Sequence, residues 1–242
     1  MDSDRRSAVL TGTFFILGTV CGGVGLGVVL GPLRAAPDSL RAYGTMETRV
    51  LGASLLYLMM GVSLVAMAVA VYPVLRKFSP SAAIAYVGAR IVEMVIYVLS
   101  VISMLALSKL GAEYVGSGAA GAADAARFQT LGALLLGVSA WAGHVVLDVA
   151  VFPIGAVVLY WVLFRARLVP GWLSGWGLIG AGLYWAAGVL VMFHVITPLK
   201  TPHIMLQAPL GLQEMVLAIW LIARGFSASA LASVASTGQR SA

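Results

Sequence analysis

Three acidic side chains, Glu93, Asp148 and Glu214, interrupt long apolar stretches of this sequence. Counting residues from the ends of those stretches puts each about 15 Å deep in a bilayer, near its midplane. A charge there costs about 2.5–3.5 kcal/mol on insertion scales, so such residues face a protein interior or a wet cavity and have partners. Around Glu93, Tyr86, Arg90, Tyr97 and Ser100 recur at steps of four, three, four and three, which places all five on one helical stripe. Arg90 and Glu93 can pair as i, i+3 neighbours. His144 and Asp148 stand at i, i+4 on another face. An antiparallel crossing would bring Asp148 level with Glu93 and His144 level with Tyr97 or Ser100, and Glu214 would arrive from the last span. The expected site is therefore Arg90, Glu93, Tyr97, His144, Asp148 and Glu214. One arginine cannot balance three carboxylates. That surplus points to a polar site for a small solute or a proton-coupled step in a transporter-like or sensor-like protein. An alternative is a membrane-embedded enzyme acting on a lipid or quinone, with His144 and Asp148 as its acid–base pair. A third reading makes the network structural or partner-binding, fixing helix register as polar residues between membrane helices do.

Other chemistries can be trimmed. His144, His194 and His203 could share a metal or ligate haem through two spans, but no pair has the i, i+4 His–His spacing of a strong metal motif. They read as one core and two interfacial histidines, with no metal and no cofactor expected. Lys77, Lys109 and Lys200 all lie at loops or span ends, which argues against a buried Schiff base. No phosphate-binding Gly-x-x-x-x-Gly-Lys loop, His-Glu-x-x-His or Gly-x-Ser-x-Gly occurs. Cys21 is the single cysteine, so neither an intrachain disulfide nor a thiolate cluster can form.

The elements that must hold these residues are membrane spans. The 242 residues are 61% hydrophobic and 10% charged, whereas soluble domains carry about 25% charged residues. Apolar runs of spanning length lie near 8–30, 50–75, 82–107, 139–164, 172–193 and 204–223. The expected fold is all-α: one integral membrane domain over residues 1–242, a polytopic bundle of about six spans. The first apolar run exceeds a secretory h-region, so it reads as an uncleaved helix. Basic clusters Arg5-Arg6, Arg76-Lys77 and Arg165-Ala-Arg167 abut span ends, while Arg34, Arg41, Arg49, Lys109, Arg127 and Lys200 are dispersed over longer loops. That arrangement predicts both termini in the cytoplasm. The formal charge of +6 then orients helices in lipid, and no nucleic-acid partner is expected.

Gly111–Ala126 reads as an exposed outer loop. Residues 128–164 as one helix would span about 55 Å, so Phe128–Val138 is expected to be interfacial or re-entrant. Residues 227–242 read as a flexible tail. In span one, Gly18/Gly22, Gly23/Gly27 and Gly27/Gly31 form Gly-x-x-x-Gly pairs, and span five repeats the device at Gly171, Gly175, Gly177, Gly180 and Gly182. Such grooves admit another helix closely, within the chain or across a possible homodimer. The remaining partners are membrane lipids, with Trp141, Trp161, Trp172 and Trp220 near interfaces.

Several longer runs carry a resemblance. They are Tyr72-Pro-Val-Leu-Arg-Lys77, Tyr86-Val-Gly-Ala-Arg-Ile-Val-Glu93, Phe128-Gln-Thr-Leu-Gly-Ala-Leu-Leu-Leu136 and Trp141-Ala-Gly-His144. Two more begin at Arg167-Leu-Val-Pro-Gly-Trp and Glu214-Met-Val-Leu-Ala-Ile-Trp. Together, over nearly the whole chain, they resemble the bacterial membrane family catalogued as domain of unknown function (DUF) 4386. The resemblance implies a one-domain, multi-pass protein of the inner membrane and supplies no catalytic residue, substrate or cofactor.

Overall fold

A computed structural model of the protein describes residues 3–118 and 122–233. Among these residues the regular structure is entirely helical. In order the elements are α1 (Ser3–Gly23), a π-helical stretch (Val24–Val29), α2 (Gly31–Ala35), α3 (Ser39–Thr45), α4 (Glu47–Phe78), α5 (Pro80–Gly116) and α6 (Ala122–Trp141). A second π-helical stretch (Ala142–Val151) follows, then α7 (Phe152–Arg165), α8 (Gly171–Met192) and α9 (Thr201–Ala223). Six helical runs are long and apolar enough to cross a membrane. Their outward faces carry large apolar side chains: Val28, Ile179 and Met205 are each more than two-thirds exposed. A water-soluble protein does not sustain such continuous apolar surface, and lipid requires it.

The spans are longer than the hydrophobic runs suggested. Ser3–Ala35, Glu47–Phe78, Pro80–Gly116 and Ala123–Arg165 are 33, 32, 37 and 43 residues. At 1.5 Å per residue even the shortest of these exceeds the roughly 30 Å hydrocarbon core, so helix continues into the polar region. Gly111–Ala126, expected as a loop, is mostly helical, because α5 runs to Gly116 and α6 begins at Ala122. Alanine favours helix wherever nothing opposes it, and Gly111 is held by the backbones of Leu40 and Gly44, too close to leave room for a side chain. Phe128–Val138 is also helical, as part of α6. The additional length starts with the exposed pair Arg127–Asp124 at 3.6 Å, which belongs in water. Residues 228–233 form a further helical turn. The rest of the expected tail lies outside the described residues.

The glycine devices sort differently from their spacing. Gly23 and Gly27 have no neighbour within 4 Å of an added Cβ, and neither do Gly175 and Gly182. Close contacts are at Gly12, where a Cβ would lie 2.5 Å from the Ala218 carbonyl oxygen, at Gly22, 2.5 Å from the Met60 sulfur, and at Gly177 and Gly180 against Tyr160 and Leu210. Glycine spacing identifies a narrow helix face but not which neighbour fills it.

The chain divides into two compact units whose segments alternate along the sequence. The second unit comprises Gly18–Val62 and Met94–Gly143. In it Tyr57 and Tyr97 meet edge to face with centroids 6.1 Å apart, and Asp38 caps α3 by accepting the Arg41 N–H at 3.1 Å. The first unit holds the described residues up to Leu17, Ser63–Glu93 and His144 onward. Here α8 packs on both α7 and α9. Basic groups gather at one end of this unit. Arg5 donates to the carbonyls of Leu221 and Ile222 at the C-terminus of α9, and Lys77 pairs with Asp4 at 2.6 Å. Leu221 also takes the Gly225 N–H at 3.1 Å, and the guanidinium adds a cationic donor at the negative end of the helix.

Candidate functional site

The first polar group of the site is built on α5. Arg90 and Glu93 are both about 2% exposed, and Nη1 of Arg90 donates to Oε2 of Glu93 at 2.6 Å. One turn earlier the Tyr86 hydroxyl accepts from Arg90 Nε at 3.2 Å. The guanidinium lies 5.3 Å from the Tyr86 ring centre and 5.3 Å from that of Phe152 on α7. A buried arginine needs this density of partners, because its desolvation is offset only by charge pairing and satisfied N–H groups. Glu214, buried on α9, lies within electrostatic reach of both Arg90 and Glu93. Its Oε1 has no hydrogen-bond partner among the described residues.

The second polar group surrounds Asp148. His144 and Asp148 both lie in the π-helical stretch Ala142–Val151, and Pro153 follows at the start of α7. The wide coil and the proline belong together. A π-turn needs an N–H five residues ahead of each carbonyl, and the residue five beyond Asp148 is Pro153, which has none. The α8 backbone takes up the space, since a Cβ on Gly188 would stand 2.8 Å from Asp148 Cβ and 3.1 Å from its carbonyl oxygen. The Asp148 carboxylate accepts the Tyr184 hydroxyl at 2.9 Å on Oδ1 and Gln207 Nε2 at 3.0 Å on Oδ2. Two imidazoles face the same Oδ2, His203 Nε2 at 3.7 Å and His144 Nδ1 at 4.0 Å. The two rings stand perpendicular with centroids 5.7 Å apart.

An aromatic pair joins the two groups. Phe152, which lies under Arg90, packs on Tyr184 with centroids 4.5 Å apart, and Tyr184 holds Asp148. Tyr184 is within electrostatic reach of all three carboxylates, Asp148, Glu93 and Glu214.

The expected residues are thus placed in two groups rather than one. Arg90, Glu93 and Glu214 gather on α5 and α9, and His144 and Asp148 gather with His203. Tyr97 belongs to the second unit and partners Tyr57. Asp148 is not level with Glu214, because its partner Gln207 precedes Glu214 by seven residues of α9, about 10 Å of rise. His203, read as interfacial, is 1% exposed. Sequence reasoning missed Tyr184 and Gln207. A signal was present for Gln207, an amide in an apolar span that needs a buried partner. A separate concavity of about 1060 Å³ is lined by Arg165, Arg167, Trp220 and Arg224 among others and shares no lining residue with the polar groups.

No curated protein and no solved structure matches the chain. The family model described as domain of unknown function (DUF4386) matches residues 10–225, and the chain belongs to that family.

Proposed function

We propose that this multi-pass protein is transporter-like or sensor-like, and that its working centre is the buried polar site, where a small solute or a proton-coupled step is handled. The observation that supports this reading is Glu214. Arg90 is already engaged by Glu93 and Tyr86, yet a second carboxylate is buried within its reach with Oε1 unmatched among the described residues. A network that only fixed helix register would gain nothing from such an oxygen, since a buried unmatched acceptor costs about 1–3 kcal/mol. A carboxylate that takes and releases a proton or a small cation has a use for it. The site would work in the cell inner membrane, with Lys77 and Arg165 on the cytoplasmic side, the orientation that the basic clusters favour.

The test is proton movement in vesicles. Wild type and Glu214→Gln are reconstituted with a trapped pH-sensitive dye, and a membrane potential is imposed. The reading expects wild type to change the internal pH and Glu214→Gln, with an unchanged melting temperature, to lose that change. Equal signals from two folded proteins would remove Glu214 from the function.

A further inference from the structure

We propose that His144, Asp148 and His203 form a binding site for a divalent transition-metal ion, with Zn2+ the first candidate. Each residue offers one ligand atom, and these atoms lie within 4.8 Å of one another. Two imidazoles and one carboxylate are a ligand set that zinc and its neighbours prefer over magnesium or calcium. With metal–ligand bonds of about 2.1 Å, tetrahedral ligand atoms stand about 3.4 Å apart. The 3.7 Å and 4.0 Å separations from Asp148 Oδ2 are therefore close to what a bound ion would draw together. Small side-chain adjustments suffice.

The independent observation is His203. Its side chain is 1% exposed, and Nε2 is aimed at Asp148 without a hydrogen-bond partner among the described residues. An imidazole nitrogen in that position costs stability unless something occupies the space before it. Nδ1, on the other side of the ring, receives the Leu199 N–H at a long 3.4 Å, a tautomer in which Nε2 carries the ring proton that an ion would displace. Coordination through Nε2 places the ring proton on Nδ1, so the Leu199 amide turns away when the ion binds. It belongs to the turn 193–200, where His194 and Leu199 already hold φ of 57° and 61°.

Two further features fit an ion. The Tyr184 hydroxyl and the Gln207 amide hold the carboxylate in place, as outer-shell groups do around metal ligands. The donors of the cluster also suit a cation: the Asp148 carboxylate supplies negative charge and the two imidazoles supply nitrogen lone pairs. The inference is independent of the proposed function, because dialysis can find metal in a protein that moves no protons.

The test uses the full chain without a histidine tag, stripped with chelator and dialysed against ZnCl2 or CoCl2. One ion per chain is expected, with a visible Co2+ spectrum of low-symmetry nitrogen–oxygen coordination that Zn2+ displaces. His203→Ala and Asp148→Asn should each abolish stoichiometric binding, and His194→Ala should retain it. Tyr184→Phe should weaken binding about 10–100-fold without changing the stoichiometry. Should His203→Ala fail to fold, His144→Ala, on the 20% exposed side of the cluster, carries the same test. Substoichiometric binding by folded wild type, or binding that survives loss of either histidine, would overturn the site.

Discussion

Gly188 and Asp148 are in contact so close that a single methyl group on Gly188 would stand 2.8 Å from the Asp148 Cβ. The contact is between backbones as much as side chains, so it sets how far the π-helical stretch can approach α8. Gly188→Ala is expected to lower stability in detergent by about 1–3 kcal/mol, the usual cost of overpacking. Gly182→Ala, on an open face of the same helix, should not. Thermal melting of the two variants decides this, and equal melting would mean that Asp148 moves aside freely.

The Arg90–Glu93 pair makes a prediction about order of loss. Arg90→Leu leaves a buried carboxylate uncompensated, a change of about 3–5 kcal/mol in comparable pairs. Combining Arg90→Leu with Glu93→Gln removes that stranded charge. The double variant should be the more stable of the two, as chemical denaturation in detergent would show; a double variant no better than the single would mean that Glu93 does not depend on Arg90.

Helix packing in the first unit gives a third contrast. Gly12→Leu drives a side chain into the Ala218 carbonyl and the Ile222 side chain, whereas Gly23→Leu meets open space. The first should lower the melting temperature and the second leave it unchanged. Loss at Gly23 accompanied by a change in oligomer size on gel filtration would point instead to a homodimer on that face.

Orientation is tested by labelling. Single cysteines at positions 77, 109, 118 and 165 are introduced in a Cys21→Ser background and exposed to a membrane-impermeant thiol reagent on intact cells. Positions 109 and 118 should label, and 77 and 165 should not. The reverse pattern inverts the topology.

Much of this molecule could be read in one dimension. Spans are legible because lipid imposes apolarity over a set length, and Arg90–Glu93 is legible because three residues of helix bring the partners together whatever surrounds them. The Asp148 group is not of that kind. His203 is far from Asp148 in the chain and reaches it only through the packing of α8 and α9, and Gly188, whose contact fixes that packing, lies outside any Gly-x-x-x-Gly pair in span five. The assumption of α periodicity failed as well. Ala142–Val151 winds wide, which alters the faces on which Asp148 and its neighbours emerge, and nothing short of Pro153 hinted at it. Polar residues in spans were informative where they were charged and overlooked where they were neutral, as with Tyr184 and Gln207.

A helix wound wide carries a surplus residue, much as a crystal can hold an extra half-plane of atoms. Such a dislocation shifts more easily than it heals. When one N–H exchanges the carbonyl five residues back for the one four back, the surplus moves along the chain and the residue it passes turns by about 100°. In Ala142–Val151 such traffic would be one-sided. Pro153 has no N–H to exchange, so the surplus is blocked toward α7 and can travel only toward α6. Each such step would turn residues on the His144 side, while Tyr184 and Gln207 bond the Asp148 carboxylate. The proline is a pawl, and the carboxylate is the tooth against which His144 can be advanced or withdrawn.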